Sequence, residues 1–216
     1  IDFAQMMKER HGSRVIMYCQ RRDLETEMRA LDRNGVISDF RVTPPNAPAD
    51  PPAVADEAAV FAAGRAMEQR YHCRLNRLAL THRHLGRGFA PGGFHHPRSH
   101  LSETTNLAQM VRILLNDFEY WERELTDQRI TLAINLKSEI AVTVANGLGV
   151  PVRNPFESRF KNFHYWAEDA KETSPRIRAE YLRIDQPAAP TDVAAPPKGH
   201  VDGRNLHLNA MSLRVY

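Results

Sequence analysis

Three groups of residues in this chain have types and spacings that chemistry can use. The densest lies in the segment 81–100, THRHLGRGFAPGGFHHPRSH, where His82, Arg83, His84, Arg87, His95, His96 and Arg98 are interspersed with four glycines and two prolines. Imidazole and guanidinium groups together hold phosphate or carboxylate, and His moves a proton near neutral pH. Metal ligation fits less well, because His82 with His84, or His95 with His96, has neither the HExxH helix spacing nor a CxxC partner. The glycines allow a lid that closes over a substrate. The same composition also suits a solvated loop with no specific ligand.

The second group is Lys137-Ser138-Glu139, at the start of an expected helix and just beyond an expected strand ending in Asn135. Free backbone N–H groups and the helix dipole favour anions there, and Lys137 would reinforce them. Glu139 can serve as a base if it is desolvated. The alternative is local: Ser138 caps the helix and Glu139 complements its dipole. The third group, Gln20-Arg21-Arg22-Asp23, follows the first expected strand, the position where dinucleotide folds place a Gly-rich phosphate cradle. No GxGxxG is present, so a nicotinamide cofactor is not expected, and Arg21 and Arg22 read either as substrate contacts or as a charged helix start. The absence of GxxxxGK[ST] and of GxSxG argues against P-loop nucleotidases and α/β-hydrolase serine chemistry. No cofactor or metal is expected.

The elements that would position these groups come from periodicity. In residues 130–159, ITLAIN reads as a strand and LKSEIAVTVANGL as a helix with Leu136, Ile140, Val144 and Leu148 at helical spacing. Gly149 is a stop before a second strand over 150–154. Polar residues outside the strand ends, among them Asn135, Asn154, Glu157, Ser158 and Arg159, would then sit where open α/β sheets meet ligands. Earlier, Val15, Ile16, Met17 and Tyr18 form a strand, Leu24, Met28 and Leu31 a helix, and residues 36–42 a second strand. A second βαβ unit is therefore expected near the start.

Between these units, five prolines break up residues 43–55. Asp56 caps a long helix carrying Val60, Ala63, Met67, Tyr71, Leu75 and Leu78. Ser102 or Thr105 caps another, with Leu107, Val111, Leu114, Leu115, Phe118 and Trp121 on one stripe. A last helix is expected from about 159 to 181, burying Phe160, Phe163, Trp166 and Ala170 and interrupted at Pro175. Glu157, Arg159 and His164 need not face that core. The expected fold is α/β: one Rossmann-like domain over 1–184, a mostly parallel sheet flanked by helices, with loops at 43–55 and 81–101. Residues 185–216 read as a Pro/Ala-rich linker or arm.

Composition sets looser bounds. The 216 residues, 42% apolar and 25% charged, are those of a globular protein, and 29 Lys and Arg against 26 Asp and Glu give a net charge of +3. That modest, interspersed excess favours anionic ligands only weakly and gives no basic surface for specific nucleic-acid binding. Cys19 and Cys73 read as reduced thiols in a strand and a helix of a cytoplasmic protein. No apolar run approaches the roughly 20 residues that span a bilayer. The chain begins at Ile1 without Met, as a piece of a longer protein would.

One stretch resembles a known family. A long helix ending in YWERELTDQRI, a strand with a polar end, the ANGLGVPV helix-to-strand turn and an SR followed by FHYW together resemble the amino-terminal domain of glycosyltransferases of the two-domain GT-B fold. The likeness is to bacterial capsule and surface-carbohydrate biosynthesis proteins and covers roughly residues 106–181. Asn135 stands where the family has Asp at the strand end. The resemblance implies an acceptor-side half whose partners are an activated sugar donor, a glycan acceptor and a second domain of the same protein. It also implies a cytoplasmic location at the inner face of the membrane, with peripheral membrane association. In such a cleft a base takes the acceptor hydroxyl proton while cations stabilise the departing phosphate. The candidate bases are Glu139, Asp23 and His84, in that order. The candidate contacts are Gln20, Arg21, Arg22, His82, Arg83, Asn135, Lys137, Ser138, Glu157 and Arg159. A non-catalytic module that binds sugar nucleotides or glycans and scaffolds a biosynthetic complex is the competing expectation.

Overall fold

The strands that form are short, and each parallel pair is joined through a helix as its sequence pattern requires. The computed structural model describes residues 2–44, 48, 50–82, 85, 105–157, 164–171 and 173–183. The described residues up to 44 belong to one compact unit and those from 48 onward to another.

In the first unit, α1 (Asp2–His11) precedes β1 (Ile16–Cys19), α2 (Arg22–Leu31) and β2 (Asp39–Val42). The strands pair in parallel, with Ile16 opposite Asp39 and Cys19 opposite Val42. Parallel neighbours need a crossover, and α2 supplies it. Its Leu24 and Met28 pack against the buried Cys19, Ile37 and Phe40, whereas Leu31 at the helix end is exposed. The turn after α2 is built by Asp32, whose carboxylate accepts from Val36 N (2.8 Å) and Ile37 N (2.9 Å), with Gly35 at φ +60°. These bonds hold Val36 and Ile37 out of the strand, so β2 begins later than the apolar pattern suggested.

The second unit opens with α3 (Glu57–Tyr71), capped by Asp56, whose side chain accepts from Ala59 N at 2.9 Å. The long helix expected through Leu78 stops at Tyr71. His72 takes a left-handed conformation at φ 48°, and α4 (Leu75–Thr81) restarts after Glu68 accepts from Leu75 N at 2.8 Å. Cys73 therefore lies between helices instead of within one. The next helix, α5 (Leu107–Asp127), is capped by Asn106 in a reciprocal box with Gln109, not by Ser102 or Thr105. Ser102 lies outside the described residues. Of the expected stripe of α5, Val111, Leu114, Leu115 and Phe118 are buried and Trp121 packs against them partly buried, but Leu107 at the helix start is 53% exposed; Met110 joins the buried set, together with Leu78, Leu85, Val144 and Val152.

β3 (Ala133–Ile134), α6 (Glu139–Gly147) and β4 (Val152–Glu157) form the second parallel βαβ unit, with Ala133 opposite Val152. Gly149, at φ +73°, turns the chain between α6 and β4. Contrary to the expected last helix, residues 164–167 form β5 (His164–Ala167), antiparallel to β4. HYWA suits a pleated surface, and each of its residues finds a partner on β4, from Glu157 opposite His164 to Asn154 opposite Ala167. Trp166 is 48% exposed instead of entering the core. Pro175 starts a helix, α7 (Pro175–Arg183), instead of interrupting one, because the first helical position needs no N–H donor.

The architecture is mixed α/β, with seven helices and two small sheets, β1-β2 and β3-β4-β5, among the described residues. Among the described residues the strands form two parallel pairs in separate sheets, one of which ends in an antiparallel strand.

Candidate functional site

Beyond the carboxyl end of β3 the chain turns through Asn135, at φ +60°, whose N–H donates to the Arg153 carbonyl at 3.0 Å. Asn spends less than most residues on that backbone angle. Lys137 follows and places its ammonium 3.6 Å from the centre of the Phe156 ring. Ser138 caps α6, accepting from Ala141 N at 3.3 Å, and Glu139 is the first helical residue. The local capping role read from the sequence is thus present.

Glu139 does more than complement a dipole. Its Oε2 accepts from Thr81 Oγ1 at 2.8 Å, its Oε1 lies 2.9 Å from Lys171 Nζ, and Arg77 Nε is 4.0 Å away. Three elements therefore meet at one carboxylate: the end of α4, the start of α6 and the loop between β5 and α7. Asp169 folds that loop, its carboxylate accepting from Lys171 N and Thr173 N, each at 2.9 Å, and from the Thr173 hydroxyl. Asn154 joins the loops from below. Fully buried on β4, its amide donates to the carbonyls of Leu136 (2.9 Å) and Asp169 (2.8 Å). The two segments that carry Glu139 and Lys171 are thereby tied together by one side chain, whose orientation β4 fixes.

One residue along from Thr81, His82 forms a second cluster. Its Nδ1 accepts from Leu85 N at 3.2 Å, and its Nε2 lies 3.8 Å from Oδ2 of Asp117 on α5. An Nδ1 that accepts carries no proton, so the ring is neutral and its N–H is on Nε2, facing the carboxylate. Both side chains are largely buried, 12% and 23% exposed. Burial pushes the Asp117 carboxyl up to about 7, and a neutral imidazole supplies no charge to oppose that shift. A carboxyl that titrates near neutrality is suited to proton transfer.

In the first unit, Gln20 is exposed where β1 ends, and Arg22, also exposed, opens α2. Arg21 pairs with Asp23, Nη2 to Oδ2 at 3.0 Å, with both side chains more than two-thirds exposed. An ion pair that open is worth little. Slight desolvation pushes the Asp23 carboxyl up, but the hydrogen bonds from Arg21 and from the Leu24 N–H outweigh it and hold the group below its ordinary value. A weaker base results. Glu157 is exposed at the end of β4, opposite the equally exposed His164. His84, Arg83, Arg159 and Ser158 lie outside the described residues, as do Arg87, His95, His96, Arg98, Phe160, Phe163 and residues 185–216.

Of the candidates read from sequence, Asn135, Lys137, Ser138 and Glu139 follow one another beyond β3, and His82 lies one residue along from Thr81, which bonds Glu139. Arg77, Thr81, Asp117 and Lys171 belong to the same region and were not singled out. Asp117 had a local signal, being a carboxylate three residues from Leu114 and next to Phe118 on the apolar stripe. Lys171 had none, because its position depends on a strand pairing and on the Asp169 turn.

Among the described residues no group of three or more His, Cys, Asp and Glu side chains is placed to hold a metal ion. Burial pushes the thiols of Cys19 and Cys73 up, so neither is an activated nucleophile. No described helix is long and apolar enough to cross a membrane. No protein-family model matches the chain, and no curated protein and no solved structure matches it.

Proposed function

We propose that this chain is the acceptor-side, Rossmann-like domain of a GT-B-type glycosyltransferase that moves a sugar from an activated donor to a growing surface or capsular polysaccharide. The reading places it in the bacterial cytoplasm at the inner face of the membrane. The observation that carries it is the position of Glu139: in the first turn of α6, beyond the carboxyl end of β3, in contact with Lys171 and Thr81. Open α/β folds bind ligands at such strand ends, and anions gather at such helix starts. Lys171 and Arg77 are the cations of this region that would stabilise charge on a departing phosphate. Glu139 would hold Lys171 in place, since a carboxylate already engaged by an ammonium and a hydroxyl is poorly placed to take up a proton.

That engagement also favours a second reading, a module that binds sugar nucleotides or glycans without turning them over. The test is to incubate the intact protein with a panel of nucleotide sugars and oligosaccharide acceptors. Thermal shift measures binding, and mass spectrometry detects an acceptor enlarged by one sugar residue. Product formed from one donor class supports the transferase. Binding by the intact protein with no product under any donor and acceptor pairing supports the module.

A further inference from the structure

Among the described helices, α7 is the one whose residues are all exposed. Its nine residues span about 14 Å, fewer than the roughly 12–15 an isolated helix needs to be stable in water. Helices that short are ordinarily held by an apolar face packed on a core. α7 has the face without the packing: Ile177, Tyr181 and Leu182 are each more than half exposed. At about 100° per residue these three fall within an arc of about 140°, with Arg178 between Tyr181 and Leu182, while Arg176, Glu180 and Arg183 take the opposite side.

Charge decides what fits that face. α7 carries three arginines and one glutamate. Glu180 is engaged by Arg183, Oε1 to Nη1 at 2.9 Å, and no ion pair holds Arg176 or Arg178 among the described residues. A second copy of α7 laid on the first would oppose like charges, and an apolar groove would strand the arginines. An anionic lipid surface meets both parts: the apolar side chains enter the acyl boundary, Arg178 reaches back out on its long stem, and the guanidiniums meet the lipid phosphates. Tyr181 suits that boundary, having an apolar ring and a polar tip.

We infer that α7 is a membrane-docking helix that lies in the plane of an anionic phospholipid surface. This rests on the location in the reading above and not on its chemistry. A short folded loop joins α7 to the Glu139 cluster: Lys171 precedes Pro175 by four residues, Asp169 closes the loop, and the Ser174 carbonyl accepts from Arg178 N at 3.0 Å. Docking α7 therefore holds Lys171 within about 15 Å of the helix start at the lipid surface.

The test is cosedimentation of the intact protein with vesicles of about one-third phosphatidylglycerol in phosphatidylcholine, with hydrogen exchange to locate the contact. The wild type is expected to bind these vesicles at least about tenfold more tightly than pure phosphatidylcholine vesicles, to be released by salt, and to show slowed exchange in peptides covering residues 175–183. Arg176→Gln with Arg178→Gln, and separately Ile177→Ser with Leu182→Ser, are each expected to weaken binding about tenfold or more at unchanged Tm, since all four side chains are exposed. Arg65→Gln with Arg123→Gln, an equal loss of exposed charge on α3 and α5, is expected to leave binding unchanged. Soluble glycerol phosphate is expected neither to slow exchange in α7 nor to compete with the vesicles. Equal binding to both vesicle types, no binding, competition by glycerol phosphate, or an equal loss in the Arg65 and Arg123 variant overturns the inference. So does slowed exchange in α7 that grows with protein concentration in the absence of vesicles, which assigns the face to a second copy. No sugar transfer is read, so docking and the transferase reading can each fail without the other.

Discussion

Asp117 carries a stability cost that can be measured apart from any activity. Its carboxyl is raised from the ordinary 3.8 to about 7 by burial, so the folded state holds a proton that the unfolded chain releases. The penalty is absent below about pH 4, grows as pH rises toward 7, and is fully present above it; the shift corresponds to roughly 4 kcal/mol as an upper bound. Asp117→Asn removes the ionisable group and keeps its size. Urea unfolding is expected to show the variant gaining stability over the wild type at pH 8 and little at pH 4. An equal effect at both pH values would mean that Asp117 is not held neutral by burial. The contrast with Glu139 lies in their partners: one carboxylate faces a neutral imidazole, the other an ammonium, a hydroxyl and a guanidinium. Lys171→Ala leaves Glu139 without its nearest cation. In the intact protein it is expected to weaken nucleotide-sugar binding by about tenfold, the size of one lost charge-assisted contact, as read by isothermal titration calorimetry.

At the scale of elements, the packing of α3 on α6 depends on Gly147. A Cβ there would overlap the ring of Tyr71, a flat, buried group with little room to move. Gly147→Ala is expected to cost about 1–3 kcal/mol through overpacking, reduced by the better helix propensity of Ala, and to lower Tm by several degrees. An unchanged Tm would show that the two helices separate easily. Much of this layer was legible in the sequence. The boundaries of α6 follow from Ser138 and Gly149, the stripe of α5 from its apolar spacing, and both βαβ units from their short apolar runs. What was not legible depended on contacts between distant segments. His72 ends α3 by adopting a left-handed angle that no Gly or Pro announced. Residues 164–167 carry aromatics that fit a helical stripe as well as a strand, and only pairing with β4 decides between them. Pro175 was read as a helix breaker because its position relative to the helix start depends on where β5 ends. The site followed the same division: Ser138 and Glu139 come from local capping chemistry, whereas Lys171 comes from tertiary structure alone.

At the scale of the whole molecule, the two units have unequal means of standing alone. The core around Phe118 draws on α3, α4, α5, α6 and the β3-β4-β5 sheet, whereas the core of the first unit is built on Cys19, Ile37 and Phe40. A segment of about 45 residues seldom buries enough surface to fold without a disulfide, a metal or a partner. Residues 46–186 expressed alone are expected to unfold in one cooperative thermal transition, and residues 1–45 alone to show none by circular dichroism. A cooperative transition in the short segment would contradict that division. The central claim concerns the second unit, which holds Glu139 with Lys171 and Thr81. The most direct measurement is mass spectrometry of glycan acceptors incubated with the intact protein and a nucleotide-sugar panel. The expected result is an acceptor heavier by one sugar residue, formed by the wild type with one donor class. Acceptors left unchanged by the wild type with every donor would contradict it.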